Sequence, residues 1–364
     1  MPTESRHTAI ALHAVGQELR RQGKHDQALE HYNRALALQR MILGAKHPYT
    51  ASTLTAIGQI LHVLGNHSAA LDHHRQALAI KREFLGPGHV FTANTLFDLG
   101  RTLQALDQKT DALASFARAL TVQHKVLGPH HARTAATQQA IAEILQAQGH
   151  FAEALNYASG ALAALEHLGG PDSPRIAPIL VVIGQIQYQQ GQHADAVFHL
   201  RRAIELLERH RGEEHEETLS ALLDLGRVLH RMGEATGALS AFKRNLHGLR
   251  ETLGPEHPRV AGTLNAIGQV HYGQGNFKAA LEHYHQALEI RQRTPRPRAL
   301  ADRDVPLQLR HRHARARRPV GPDRDAVGRR HARAPARPAA PPRAGDPILV
   351  EVIAAPRRDR PRRS

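Results

Sequence analysis

Apolar positions along the first 294 residues recur at helical spacing and are interrupted at regular intervals. Leu54, Ile57, Gly58 and Leu61 form one i, i+3, i+4, i+7 stripe, after which Gly65 and Asn66 break the chain. A second stripe follows: Ala70, Leu71, His74, Ala77 and Leu78. The small residues Gly58, Ala70 and Ala77 predict two antiparallel helices in close approach, because larger side chains there would force them apart.

The same pattern returns every 42 residues without insertion. The unit opens at Thr8, Thr50, Thr92, Thr134, Ile176, Thr218 and Val260. Eight residues on stand Gly16, Gly58, Gly100, Ala142, Gly184, Gly226 and Gly268; twenty residues on, every unit has alanine, from Ala28 to Ala280. Between units lies a stop-and-restart signal, as in LGPGH (85–89), LGPHH (127–131) and LGPEHP (253–258). Glycine ends a helix in the left-handed conformation, and proline prevents continuation. The Thr that follows is expected to cap the next helix.

These motifs, L-x-x-[IL]-G followed by A-L…[FYH]-x-x-A-L, resemble the tetratricopeptide repeat. The 42-residue unit with its LGPxHPxTA linker is similar to the kinesin-light-chain subtype. The resemblance covers residues 8–294 and implies an all-α fold: a right-handed superhelical solenoid of stacked helix hairpins with a concave groove. Residues 1–7 then form an N-terminal extension.

Composition changes this picture at one place. The chain carries 48 basic and 33 acidic residues, a net of +15. Of this excess +12 falls in residues 295–364, which hold 19 Arg, 12 Pro and no aromatic residue. Such a segment cannot bury enough apolar surface to offset its ordering entropy and is expected to be disordered. The body is left at +3, so its charge gives no reason to expect nucleic acid.

The junction at Thr294 has a simple explanation. Thr-Leu-Gly-Pro-Glu-His encoded by ACC CTC GGC CCC GAG CAC becomes Thr-Pro-Arg-Pro-Arg-Ala when one C is inserted after the first codon. That is the observed 294–299. Undoing the shift permits Thr at 302 and Gly at 310, in register with all seven units, and Gly at 317; the alanine due at 322 is not permitted. Residues 295–364 are accordingly read as an out-of-frame product. A genuine Arg/Pro-rich tail that binds nucleic acid or another anionic surface is the alternative.

The chemistry of catalysis finds little support. Cysteine is absent, as are HExxH, the phosphate-binding GxxxxGK[ST] loop and the GxSxG elbow. Histidine numbers 28, with the pairs His73/His74, His130/His131 and His283/His285. However, His47, His89, His131, His215 and His257 share one repeat position, which points to linker architecture. No enzyme activity, cofactor, metal or small-molecule substrate is expected. The N-terminus lacks the pattern of a secretory signal, and no apolar run is long enough for a membrane span, so a cytoplasmic location is expected.

In tetratricopeptide folds the first helix of each hairpin lines the groove. Carried over by position, the resemblance places Gln17, Gln59, Arg101, Glu143, Gln185, Arg227 and Gln269 there, nine residues into each unit. Twelve residues in come Arg20, His62, Gln104, Gln146, Tyr188, His230 and Tyr272, and five residues in lies Phe97. Glutamine amides donate and accept at once, which suits an extended peptide; Arg and His suit acidic side chains. The paired asparagines (LNNL) that clamp a peptide in many kinesin-light-chain-like repeats are matched only at Asn265. The expected function is a protein-interaction scaffold that binds a partner peptide or helix, such as a sensor or adaptor in bacterial signalling. A role beside a signalling ATPase would require another domain or chain, because no ATPase motif is present.

Overall fold

A computed structural model of the chain describes residues 2–293 as fourteen α-helices, with no strand among the described residues. The first four hairpins pair α1 (Pro2–Arg21) with α2 (His25–Ile42), α3 (Pro48–Val63) with α4 (His67–Phe84), α5 (Val90–Ala105) with α6 (Lys109–Leu127), and α7 (Ala132–Ala147) with α8 (Phe151–Gly169). Three more follow: α9 (Ala177–Gln189) with α10 (His193–Arg211), α11 (Glu216–Arg231) with α12 (Ala235–Leu253), and α13 (Pro258–Gly273) with α14 (Phe277–Arg293). The disorder and reading-frame expectations for residues 295–364 lie outside the described residues. Residues 2–7, set apart by the repeat register, are helical and continuous with α1.

Each hairpin is closed by steric complementarity. A Cβ on Gly58 would lie 2.6 Å from the His74 ring, and one on Gly100 or Gly268 would lie 2.6 Å from Phe116 or Tyr284. The rings therefore press against the helix backbone, sixteen residues on from each glycine. The fourth unit solves the same problem with Ala142 and Ala158, both fully buried. The turn within a hairpin needs a positive φ, as at Gly65 (78°); in the third hairpin Asp107 takes it at 58°.

The linkers are built differently from the expectation. The helix cap is histidine, not threonine: His47, His89, His131, His215 and His257 are N-caps whose Nδ1 accepts the backbone N–H two residues on, at 3.1–3.2 Å. The threonine lies in the first turn and points backwards. Thr50, Thr92, Thr134 and Thr218 each donate to the carbonyl of the linker glycine six residues earlier, at 2.8–3.1 Å. One histidine and one threonine thus close four of the junctions from opposite sides; the seventh unit keeps the His257 cap but has Val260 in place of the threonine. The fifth unit has Ile176 in place of this threonine, no side-chain cap, and a first helix of only 13 residues.

Between units, the first helices of successive repeats approach one another, from α1 with α3 to α11 with α13. Among helices α1 to α13, no two second helices come as close. A stack held this way bends toward its first helices, which places the odd-numbered helices on the inner side.

Candidate functional site

The inner side carries a chain of hydrogen bonds that steps from repeat to repeat. Arg20 on α1 donates to Gln59 Oε1 on α3, and Gln59 Nε2 donates to Asp98 Oδ2 on α5 at 2.7 Å. Three repeats further on the arrangement recurs. Gln146 on α7 donates to Gln185 on α9 at 3.3 Å, and Gln185 Nε2 donates to Asp224 Oδ2 on α11 at 2.6 Å. Each glutamine accepts from one neighbour and donates to the next, using both ends of its amide.

The two aspartates end these chains in different electrostatic settings. Burial raises Asp98 to about 6, opposed by the Gln59 hydrogen bond and the positive charge of Lys81, Arg133 and Arg20. Asp224 is paired with Arg227 of its own helix at 3.2 Å. His62 lies beside Asp98 on α3. Its ring is lowered by burial and then by the neighbouring charges of His67 and Arg101, and its Nδ1 lies 3.3 Å from the Thr102 hydroxyl. Beneath them His74 is held at about 3, burial being the main cause, so a neutral ring forms the floor.

The expected groove residues divide into those the fold joins and those it leaves apart. Arg20, Gln59, Gln185 and Arg227 belong to the two hydrogen-bonded chains. His62 and Tyr188 flank them, each against a histidine five residues on, with ring centroids 5.0 and 5.6 Å apart. Glu143 is tied locally, accepting from Gln139 at 3.0 Å. Gln17 contacts His13 at 3.2 Å, and Tyr272 is exposed with its ring edge on Phe277. Arg101 and Gln269 are exposed, and Gln104 and His230 are half-buried. Phe97 is half-buried against Phe116, so its ring is shared between core and groove.

Asp98 and Asp224 escape the positional rule because they stand six residues into their units, where other units have alanine or valine. The signal was present as DLGR, found at 98–101 and again at 224–227.

The family model for the tetratricopeptide repeat matches residues 7–83, 64–123, 102–166, 141–209 and 217–293. The chain is a tetratricopeptide-repeat protein. It therefore belongs to a family of protein-binding scaffolds. Solved structures share the fold at low identity. RapI superimposes with a TM-score of 0.60 at 15% identity, over 78% of this chain and 97% of that one. Aspartyl phosphate phosphatase F from Bacillus subtilis gives 0.56 at 15%, over 80% and 73%. The Q17M structure of putative kinesin light chain TPR-like repeats from Podosopora anserina gives 0.50 at 19%, over 57% and 98%. Among curated proteins none matches the sequence.

Several of the remaining histidines have structural partners. His73 and His283 contact the backbone carbonyls four residues earlier at 2.8 Å, and His130 lies tilted against His167 with ring centroids 4.5 Å apart. No group of three His, Cys, Asp or Glu among the described residues is placed to hold a metal. No helix among them is long and apolar enough to cross a membrane.

Proposed function

We infer that this protein is a non-enzymatic cytoplasmic adaptor that takes a partner's peptide or helix against the inner row of first helices. The observation that carries this reading is the pair of hydrogen-bonded chains ending at Asp98 and Asp224. They line up donors and acceptors of fixed orientation along one wall, which an extended segment can read as a series. The solenoid form supports it, since stacked repeats present a long continuous surface. Two structural neighbours bear the names RapI and aspartyl phosphate phosphatase F, and a role in bacterial signalling is consistent with them.

The test is capture of cellular proteins by the full chain, by a Gln59→Ala/Gln185→Ala variant, and by a chain lacking residues 295–364. The groove reading expects the double variant to lose partners that the truncated chain retains. Loss of all partners on truncation, with steep salt dependence in the full chain, would transfer the function to the Arg-rich segment.

A further inference from the structure

The inner wall contains the same pocket twice. One cavity, of about 200 Å³, is lined by Gln59, His62, His74, Asp98 and Arg101 among others. The other, of about 270 Å³, is lined by Gln185, Tyr188, Leu200, Asp224 and Arg227 among others. Each residue in the first set has its counterpart in the second 126 residues later, which is three 42-residue units. The internal bonds are duplicated as well: glutamine Nε2 to aspartate Oδ2 at 2.7 and 2.6 Å. So is the ring wall, His62 beside His67 and Tyr188 beside His193. Among the described first helices, only α5 and α11 carry an aspartate six residues in and an arginine nine residues in. A requirement of the hairpin fold would appear in every unit; this feature appears in two.

Each pocket offers a carboxylate and a guanidinium from one helix, three residues apart and so on the same face; in the second pocket Arg227 also pairs with Asp224 Oδ1 at 3.2 Å, leaving Oδ2 with Gln185. A cationic ligand would meet Arg101 or Arg227 as a like charge, and an anionic ligand would meet Asp98 or Asp224 in the same way. A neutral group with a donor at one end and an acceptor at the other satisfies both. That group is an amide, whose N–H faces the carboxylate and whose C=O faces the guanidinium, with the ring of His62 or Tyr188 along its plane.

We propose that the two pockets are corresponding amide-reading subsites that hold one extended peptide at two points. This rests on the groove reading above and adds the ligand chemistry and its spacing. First helices of successive repeats pack on one another, and packed helices lie about 8–10 Å apart, so three steps separate the pockets by roughly 25–30 Å. An extended chain covers that span in about eight residues at about 3.3 Å each. Two anchors on one chain reinforce each other through effective concentration, so each pocket can be weak alone.

The experiment pans a phage-displayed library of random peptides, each about sixteen residues long to cover the span with a margin at both ends, against the full protein. The proposal expects enriched sequences with Asn or Gln at two positions about seven to nine residues apart if side-chain amides are read. If backbone amides are read, it expects no residue preference there but loss of affinity on N-methylation at those two places. Either way, Arg101→Ala and Arg227→Ala each weaken binding about tenfold, and the double variant weakens it further. Both arginines are exposed, so the variants leave the hairpins intact. Enriched peptides that select acidic or basic anchors, or bind the double variant unchanged, overturn the subsites and leave the groove reading standing. No enrichment over a blank support overturns both.

Discussion

Lys81 on α4 donates to the Thr95 hydroxyl on α5 at 2.9 Å, joining two repeats through the interior. Its second hydrogen bond goes to Thr55 Oγ1, also at 2.9 Å, so an ammonium is buried between two hydroxyls. Burial lowers its pKa to about 8, with Asp98 opposing. The folded chain then releases this proton more readily than the unfolded chain, and between about pH 8 and 10.5 the unfolded state binds more protons. Lys81 therefore contributes least below pH 8, and stability should rise by up to about 3 kcal/mol as the pH climbs through that window. Repeats four to six have Leu165, Leu207 and Leu249 at this position. Lys81→Leu should flatten the rise and leave stability at neutral pH equal or higher, as read from urea unfolding on both sides of the window.

Asp98 moves the other way. Its carboxyl is raised from 3.8 to about 6, so the folded state holds the proton longer and stability from this residue declines as the pH rises from about 4 to about 6. A carboxyl titration followed by NMR should show a midpoint near 6 for Asp98. Gln59→Ala, which removes the donor to its Oδ2, should raise that midpoint further. A midpoint at the ordinary aspartate value would show that the site is wetter than its geometry indicates.

Phe116 lies against Gly100 with no room for a methyl group. Gly100→Ala should cost about 1–3 kcal/mol through overpacking. Phe116→Ala alone should cost about 3–5 kcal/mol through the cavity it leaves. Combined, they recreate the Ala142 and Ala158 solution of the fourth unit, so the double variant should be more stable than the sum of the two losses implies. A thermal or denaturant double-mutant cycle measures this directly. Strict additivity would mean the two positions do not pack as described.

The histidine caps should behave as ordinary N-caps. His89→Ala removes the acceptor for the Phe91 N–H and should destabilise the protein by about 0.5–2 kcal/mol; His89→Asp should recover most of the loss. Thr92→Val tests the other side of the junction, since it deletes the hydroxyl bonded to the Gly86 carbonyl while keeping shape. It should cost about 1 kcal/mol without changing helix content by circular dichroism.

Resequencing the gene across codon 294 should reveal one surplus C, whose removal restores Leu-Gly-Pro-Glu-His after Thr294. A verified gene without it, together with a protein mass matching all 364 residues, would establish the Arg/Pro-rich segment as native.

Much of this architecture was legible in the order of residues. Helix pairs follow from the 3.6-residue periodicity, their number from the 42-residue register, and their close approach from glycine and alanine at fixed places. These are local or strictly repeated properties, so one unit predicts the next. The linker histidines were recognised as architecture, but their capping role was assigned to threonine. Both residue types suit a cap, and only the backbone path shows that Thr50 turns back to Gly44 while His47 faces forward.

The inner-wall pockets belong to the tertiary structure. Gln59 and Asp98 are 39 residues apart, and no pattern within a single unit relates them. They meet because packing sets α3 beside α5 in a stack that bends toward its first helices. The same stacking brings Gln185 to Asp224 and buries Lys81 against Thr95. The sequence by itself determined the repeated hairpin, because a hairpin is specified within one unit by steric fit. Which polar groups share a pocket, and which charge is desolvated, was decided between units, where the burial of one side chain depends on its neighbour's position.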